Sequence, residues 1–170
     1  MANFVNNQPT AENYLYPTSF QLSIARIPDT IYNCQTANVP GITVAEIAKN
    51  NPATGRTLKI PSQSLQFEDL QIKFLVDEHM SNWIEIYNWM QNLRVVADWA
   101  TVQKFPDQLS DASLVLYSSA NNPIKALRFH NMFPKELSSL EMDATVDNPE
   151  AITATVTFAF EFFTFGDDTL

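Results

Sequence analysis

The fold is decided by the stretch Ala151–Phe165, which reads AITATVTFAFEFFTF. Apolar residues occupy every second position from Ile152 to Phe162. The alternate positions carry Thr153, Thr155, Thr157, Ala159, Glu161, Phe163 and Phe165. This period of two, in a segment rich in threonine and phenylalanine, predicts a β-strand with one apolar and one threonine-rich face. Unbroken, the strand would be about 50 Å long, which favours a sheet that continues from one copy of the chain to the next.

Most other apolar segments also alternate, and prolines separate them. Further strands are predicted at Phe20–Ala25, Thr30–Val39 with an extension over Ile42–Ile47, Leu65–Val76, Ala112–Tyr117 and Ile124–Phe129. Ala120–Pro123 is predicted to be a hairpin turn. We therefore predict a single, mainly β (α+β) domain over residues 1–170. Residues 1–12 are interpreted as an N-terminal arm.

The helix is predicted over Asn82–Val96, where Asn82 and Glu85 have the spacing of a capping box. Its apolar stripe contains Trp83, Ile84, Tyr87, Met90 and Leu93. Such a stripe must be buried, and a sheet face is its natural partner. The tryptophans of this region, with Trp99 beyond the helix, would also suit a stacking platform, but their helical setting favours packing.

Charge is distributed unevenly along the chain. The segment Ala48–Pro61 is interpreted as a long polar loop that contains Lys49, Arg56 and Lys59 and no acidic residue. The segment Glu136–Leu170 has no basic residue. Its acidic residues are Glu136, Glu141, Asp143, Asp147, Glu150, Glu161, Asp167 and Asp168. A mobile, solvated loop is the simplest reading of residues 48–61, and a contact with an acidic partner is the alternative.

The overall charge and the cysteine content exclude several classes of protein. The net charge is −9, with 19 acidic and 10 basic residues. This balance argues against a protein that binds nucleic-acid phosphates. Cys34 is the only cysteine, so no internal disulfide can form and the chain can assemble in a reducing cytoplasm. Neither a signal peptide nor a membrane-spanning segment is predicted.

The residues that could carry enzyme chemistry form no known pattern. His79 and His130 lie far apart and have no metal-binding spacing. Cys34 has no neighbouring base that would activate its thiol. The acids of Glu141–Asp147 lack the glycine and the terminal glutamate of a calcium-binding loop. We therefore predict no enzyme activity, no cofactor and no metal site.

Several segments, taken in order, resemble the tube proteins of contractile phage tails, the family of the T4-type tail tube protein with its relatives in injection systems. The similar segments are Asn13–Phe20, Tyr32–Gly41, Leu70–Glu78 with the helix after it, Phe133–Pro134, Leu140–Asp143 and Ile152–Phe163. The segment Val95–Asp111 departs from the major tube subunit. Related folds also serve as tube initiators in baseplates.

The resemblance implies an antiparallel β-sandwich or barrel with one flanking α-helix. It also implies a virion protein of the phage tail, with subunits that form hexameric rings around a continuous inner β-barrel. Stacked rings would conduct DNA without binding it specifically. The implied partners are further copies of the chain, the tail sheath protein, the baseplate hub and tail terminator proteins, and the tape measure protein in the lumen. Insertion of the monomer into a membrane is not implied.

The resemblance also gives roles to particular residues. The inner wall would be formed by the last strand, through Thr153, Thr155, Thr157 and Glu161. An acidic chain would let DNA pass because like charges repel. Residues 48–61 would be a ring-stacking loop, with inter-ring contacts through Lys49, Arg56, Lys59, Glu141 and Asp143.

Three functions compete at this point. The leading one is the subunit of the inner tail tube. The second is a tube initiator of the baseplate or a tube terminator ring with the same fold. The third is a small β-barrel module that binds a ligand in an aromatic pocket.

Overall fold

The computed structural model describes residues 14–28, 33–51, 55–94, 105–145, 147 and 150–166. They form β1 Phe20–Ile24, β2 Cys34–Ala37, β3 Ile42–Asn51, β4 Arg56–Phe67, β5 Leu70–Leu75, α1 Ser81–Arg94, a 3-10 helix Phe105–Gln108, β6 Ser110–Tyr117, β7 Pro123–Leu137, β8 Thr153–Ala159 and β9 Phe162–Gly166. The predicted mainly β, antiparallel architecture with one helix is confirmed. The arm 1–12, the start of the predicted second strand, Val96 and Trp99 lie outside the described residues. Within the described part, no helix is long and apolar enough to cross a membrane.

The main sheet has seven strands in the order β1-β6-β7-β8-β5-β2, with β9 alongside β7. The long strand β7 belongs to both halves of this sheet. Its first part lies between β6 and β9, and its last part, from Phe133, pairs with β8. The turn predicted between β6 and β7 is confirmed, with Ser118 bonded to Asn122 through the backbone.

A bend in the middle of β7 joins the two sheet halves. Asn131 has a φ of 55°, a conformation that asparagine tolerates better than most residues. Its backbone N–H donates to the Asp111 carboxylate at 3.2 Å, and its side-chain amide donates to Glu161. Side chains from β6 and from the β8–β9 connection thus hold the bend in place.

The prediction of one unbroken C-terminal strand is wrong at Phe160–Glu161, which separates β8 from β9. Both strands follow β7 in one register, with Ala159 opposite Phe133 and Phe162 opposite His130. The buried positions change parity here on both strands: Phe129 and Met132 are buried on either side of Asn131, and Phe158 and Phe163 on either side of the break. Phe163 is buried, whereas Phe162 is 40% exposed, the reverse of the prediction.

The core lies between the sheet and the inner face of α1. Ile86 and Trp89 are buried, and the Trp89 ring lies 5.9 Å from the ring of Phe158 on β8. The predicted helix–sheet packing is therefore confirmed, but its stripe is partly wrong. Ile84 and Tyr87 are each 43% exposed, because the buried stripe runs through Ile86 and Trp89.

Asn82 ties the start of α1 to the sheet. Its side chain donates to the Leu75 carbonyl at 2.7 Å and accepts from the Trp83 N–H at 2.9 Å. The helix begins one residue earlier than predicted, at Ser81, and ends at Arg94. The polar side chain is buried, and these bonds satisfy it.

Strands β3 and β4 form a separate two-stranded sheet, which we call the hairpin. The interpretation of residues 48–61 as a loop is therefore wrong: Ala48–Asn51 and Arg56–Pro61 are paired strands, with Ala48 opposite Lys59. At its base the Gly41 carbonyl accepts from the Glu68 N–H at 2.9 Å. A Cβ at Gly41 would lie 2.6 Å from the Glu68 carboxylate, so a larger residue here would displace the end of that side chain.

Candidate assembly surfaces

The half-sheet formed by β2, β5, β8 and the last part of β7 has a polar face opposite the core. Residues paired directly across strands share a face. Thr153, Thr155 and Thr157 of β8 therefore lie on one face with their partners on β5 and β7. This surface, the threonine face, contains Thr36, Gln71, Lys73, Leu75, Glu136, Thr153, Thr155 and Thr157. Ala154, Val156 and Phe158 occupy the other face and are buried.

The threonine face is polar without being acidic. Lys73 and Glu136 are its charged members among the described residues paired in this way, and their charges cancel. Thr157 is 8% exposed, so it is more enclosed than a freely solvated wall residue. Glu161, predicted to belong to the same wall, lies between β8 and β9 and is bonded to Asn131. It does not continue the row of threonines.

The hairpin has two chemically different faces. On one, the Lys59 Nζ lies 2.8 Å from Glu46 Oε1, and the Thr57 hydroxyl donates to Asn50 Oδ1 at 2.9 Å. The other face carries the apolar trio of Ile47, Leu58 and Ile60. These side chains are 57%, 60% and 40% exposed, respectively.

Two basic residues flank the apolar trio. Lys49 is opposite Leu58, and alternation along β4 puts Arg56 on that side as well. Of the three predicted basic contacts, Lys59 is the one that points to the other face, where Glu46 neutralises it. Sequence reasoning missed the apolar trio, although the alternation of Leu58 and Ile60 with basic residues was a readable signal.

The predicted acidic contacts lie in the connection between β7 and β8. Glu141 and Asp143 are exposed. The Asp143 carboxylate accepts from the Thr145 hydroxyl at 2.7 Å and from its backbone N–H at 2.8 Å. These hydrogen bonds lower the pKa of Asp143, so the residue stays charged at neutral pH. We call residues 138–150 the acidic segment.

The hairpin and the acidic segment are attached at opposite ends of the same half-sheet. The hairpin leads into β5 at Leu70, which is opposite Phe158 at the end of β8. The acidic segment enters β8 at Thr153, opposite Leu75 at the other end of β5. The two attachment points are separated by β8, about 20 Å at ordinary strand rise. The segments that carry the opposite charges thus join this half-sheet at opposite ends.

The side chains considered above as candidates for enzyme chemistry are held by packing and polar contacts. Burial raises the pKa of the Cys34 thiol to about 11, against a weaker opposing effect of the hydrogen bond to the Thr36 carbonyl. The ring centroids of His130 and Phe162 are 4.8 Å apart with the planes tilted by 31°, and the His130 Nδ1 lies 3.6 Å from Asp111 Oδ2. Among the described residues, no group of histidine, cysteine and acidic side chains could hold a metal ion.

An open depression lies over β1, β6 and β7. It is lined by Ser23, Ala25, Asp111, Ala112, Ser113, Arg128, Phe129 and His130. Most of these residues are polar or small, unlike the aromatic pocket that a ligand-binding module would need. The depression therefore gives the third candidate function little support.

Comparisons with known proteins agree on one group. A family model described as phage tail tube protein matches residues 18–165. The tail tube terminator protein of Enterobacteria phage T4 is 24% identical over 159 residues, which cover 89% of this chain and 88% of that protein. The tube-terminating cap of the anti-feeding prophage superposes with a TM-score of 0.68 at 17% identity, covering 98% of this chain and 99% of the cap chain. A chain of the PVC sheath–tube complex, an extracellular contractile injection system, gives 0.67 at 16% identity, covering 92% and 93%.

Proposed function

The chain belongs to the phage tail tube protein family, and from this membership we propose that it forms the terminator ring that closes the tube of a contractile tail. The family consists of structural tail components, not of enzymes. The observation that carries the finer proposal is the match to the T4 tail tube terminator, which runs through almost the whole length of both chains. The likeness of fold to a tube-terminating cap supports it.

In this proposal the chain forms a hexameric ring with the threonine face towards the lumen. The face suits a water-filled channel because hydroxyl and amide groups are well solvated and its charges cancel. Transiting DNA would meet a neutral wall and would be neither repelled nor held. The helix α1 packs on the other face of this half-sheet and would lie outside the channel, towards the tail sheath protein. The tube would connect this ring to the baseplate hub and the tape measure protein.

The hairpin is the proposed contact with the last ring of the tube. Its apolar trio is exposed in the subunit, and Lys49 and Arg56 flank it. The hairpin strands carry three basic residues and one acidic residue, so they contribute +2 to a chain of net charge −9 and the remainder carries −11. Burial of the trio would supply affinity, and the two flanking cations would set orientation against an acidic surface.

A second candidate, the repeating subunit of the inner tail tube, is favoured by one observation. The basic hairpin and the acidic segment with Glu141 and Asp143 are attached at opposite ends of the same half-sheet. If the basic end of one ring bound the acidic end of the next, the same contact could repeat from ring to ring without limit. The chain would then stack on itself instead of stopping after one ring.

Electron microscopy of the purified chain separates the two candidates. The terminator proposal predicts single hexameric rings that do not extend at any concentration and that cap tubes assembled from the tube subunit of the same tail. Long tubes formed by this chain alone would establish the second candidate. A chain that stays monomeric and leaves the growth of tubes unchanged would overturn both.

A further inference from the structure

The hairpin is joined to the main sheet through two short connections. Residues 38–41 lead into β3, and residues 68 and 69 lead from β4 into β5. Within the described residues, β3 and β4 pair with each other and with no strand of the main sheet. The direction in which the hairpin points is therefore set at these connections. Strand β3 has 10 residues, about 30 Å at ordinary strand rise, so a tilt of about 10° moves the tip by about 5 Å, one strand spacing.

Asn38 holds the first connection against the second. Its backbone N–H donates to the Gln71 carbonyl at 3.2 Å, and its side-chain oxygen accepts from the Gln71 N–H at 2.6 Å. Its side-chain amide donates to the Asp69 carbonyl at 3.2 Å. Asn38 thus continues the pairing with β5 beyond the end of β2 at Ala37. The residue is exposed, so its side-chain bonds can be removed without opening the core.

Asp69 ties the second connection to β7. Its carboxylate Oδ2 lies 2.7 Å from the Lys135 Nζ. Lys135 lies at the register shift between Pro134 and Glu136 on β7. Because β5 and β7 lie on either side of β8, the ion pair crosses over β8. The side chains of Lys135 and Asp69 are 59% and 36% exposed, and such pairs add little to folding stability. What the pair fixes is the position of the hairpin base.

A third contact at the hairpin base is apolar. Phe67, the last residue of β4, has its ring 5.2 Å from the ring of Phe163 and 6.0 Å from that of Phe160. This packing anchors the base to the core. One ring contact leaves the hairpin able to pivot about it, and the polar contacts of Asn38 and Asp69 restrain that pivot.

From these contacts we propose that Asn38 and the Asp69–Lys135 pair, the hairpin clamp, orient the hairpin for docking onto the last ring of the tube. This role rests on the proposed function, and the clamp positions the docking surface named there. A hairpin held at one angle presents its apolar trio and its flanking cations in fixed places, so less orientational freedom is lost on docking. All copies of a ring then engage the tube together, which multiplies the gain.

Substitutions at exposed positions test the clamp without touching the core. The clamp variant carries Asn38→Ala and Lys135→Gln, and each substitution is also made singly. A charge-reversed variant, Asp69→Lys with Lys135→Asp, restores the attraction with the partners exchanged. The matched control carries Glu46→Gln and Lys59→Gln, which remove an exposed ion pair of 2.8 Å within the hairpin.

Two measurements are made on each variant. Spin labels at Thr57→Cys on the hairpin and Asn88→Cys on α1, in a Cys34→Ser background, report the spread of hairpin orientations by pulsed electron paramagnetic resonance. Labelled subunits are diluted with unlabelled ones, so that each ring contains one labelled copy. Electron microscopy and co-sedimentation then score rings and the capping of preformed tubes, and circular dichroism verifies folding.

We expect the clamp variant to form rings and to melt like the control, with a broader distance distribution and an affinity for tube ends at least about tenfold lower. Lys135→Gln alone should lose part of this affinity, and the charge-reversed variant should regain it. An unchanged distance distribution, unchanged capping, or no recovery on charge reversal would overturn the clamp and leave the terminator proposal standing. A wild type that forms neither rings nor tube caps would overturn the proposed function, whatever the distances show.

Discussion

Replacing the apolar trio of the hairpin should abolish docking onto the tube while leaving the subunit folded. The variant carries Ile47→Thr, Leu58→Thr and Ile60→Thr, which keep the strand preference and remove the aliphatic surface. Full burial of such a side chain is worth about 1.5–3 kcal/mol. In the subunit, Ile47, Leu58 and Ile60 are 57%, 60% and 40% exposed, respectively. Burying the exposed part of each side chain on docking would therefore contribute roughly 1 kcal/mol. The trio therefore contributes about 3 kcal/mol per copy, roughly 150-fold in affinity for each hairpin.

The assay is capping of preformed tubes, scored by electron microscopy and by co-sedimentation. We expect the triple variant to form normal rings, to melt within a few degrees of the wild type and to leave tube ends open. The control carries Glu46→Gln and Lys59→Gln, which remove the exposed ion pair on the other hairpin face, a contact worth at most about 1 kcal/mol. Normal capping by the triple variant, or loss of capping by the control, would refute the assignment of the docking face.

Three further predictions concern the subunit itself. Trp89→Phe should lower stability by about 2–3 kcal/mol and the melting temperature by roughly 4–12 °C, because it removes buried ring atoms and the 2.8 Å bond to the Gln108 carbonyl; an unchanged melting curve would contradict this packing. In urea unfolding, Asn131→Ala should be about 1 kcal/mol less stable than Asn131→Gly. Both variants lose the hydrogen bond to Glu161, but only alanine is strained at a φ of 55°. Equal urea midpoints for the two variants would contradict backbone strain at residue 131. Cys34 should react with iodoacetamide at pH 8 about 100-fold more slowly in the folded chain than in urea, because a pKa of about 11 instead of 9.0 lowers the thiolate fraction by that factor; equal rates would mean an exposed thiol.

The fold class could be predicted from local alternation, since a strand with one buried face leaves a period of two in the sequence. The predictions failed where contacts between segments far apart in the chain determine the local structure. The break at Phe160–Glu161 follows from the bend of β7 at Asn131, which no local pattern around residue 160 reveals. The buried stripe of α1 passes through Ile86 because of where the helix packs on β7, with Trp89 beside Phe158 of β8, and the sequence offered Ile84 equally well.

The assembly surfaces were predictable to a lesser degree. The threonines of β8 were found because their side-chain chemistry contrasts with the alternate positions. The hairpin looked like a polar loop because cations and prolines obscured the alternation of Ile47, Leu58 and Ile60. The positions of the two charged segments, at opposite ends of a half-sheet, depend on the pairing of β5 with β8. That pairing joins residues far apart in the chain and leaves no spacing signature.

The membership of β7 in both half-sheets has a mechanical consequence. Load applied to one half reaches the other along β7, which both halves share, and along the two-residue connection between β8 and β9. A subunit built in this way should transmit a sudden axial thrust as a rigid body.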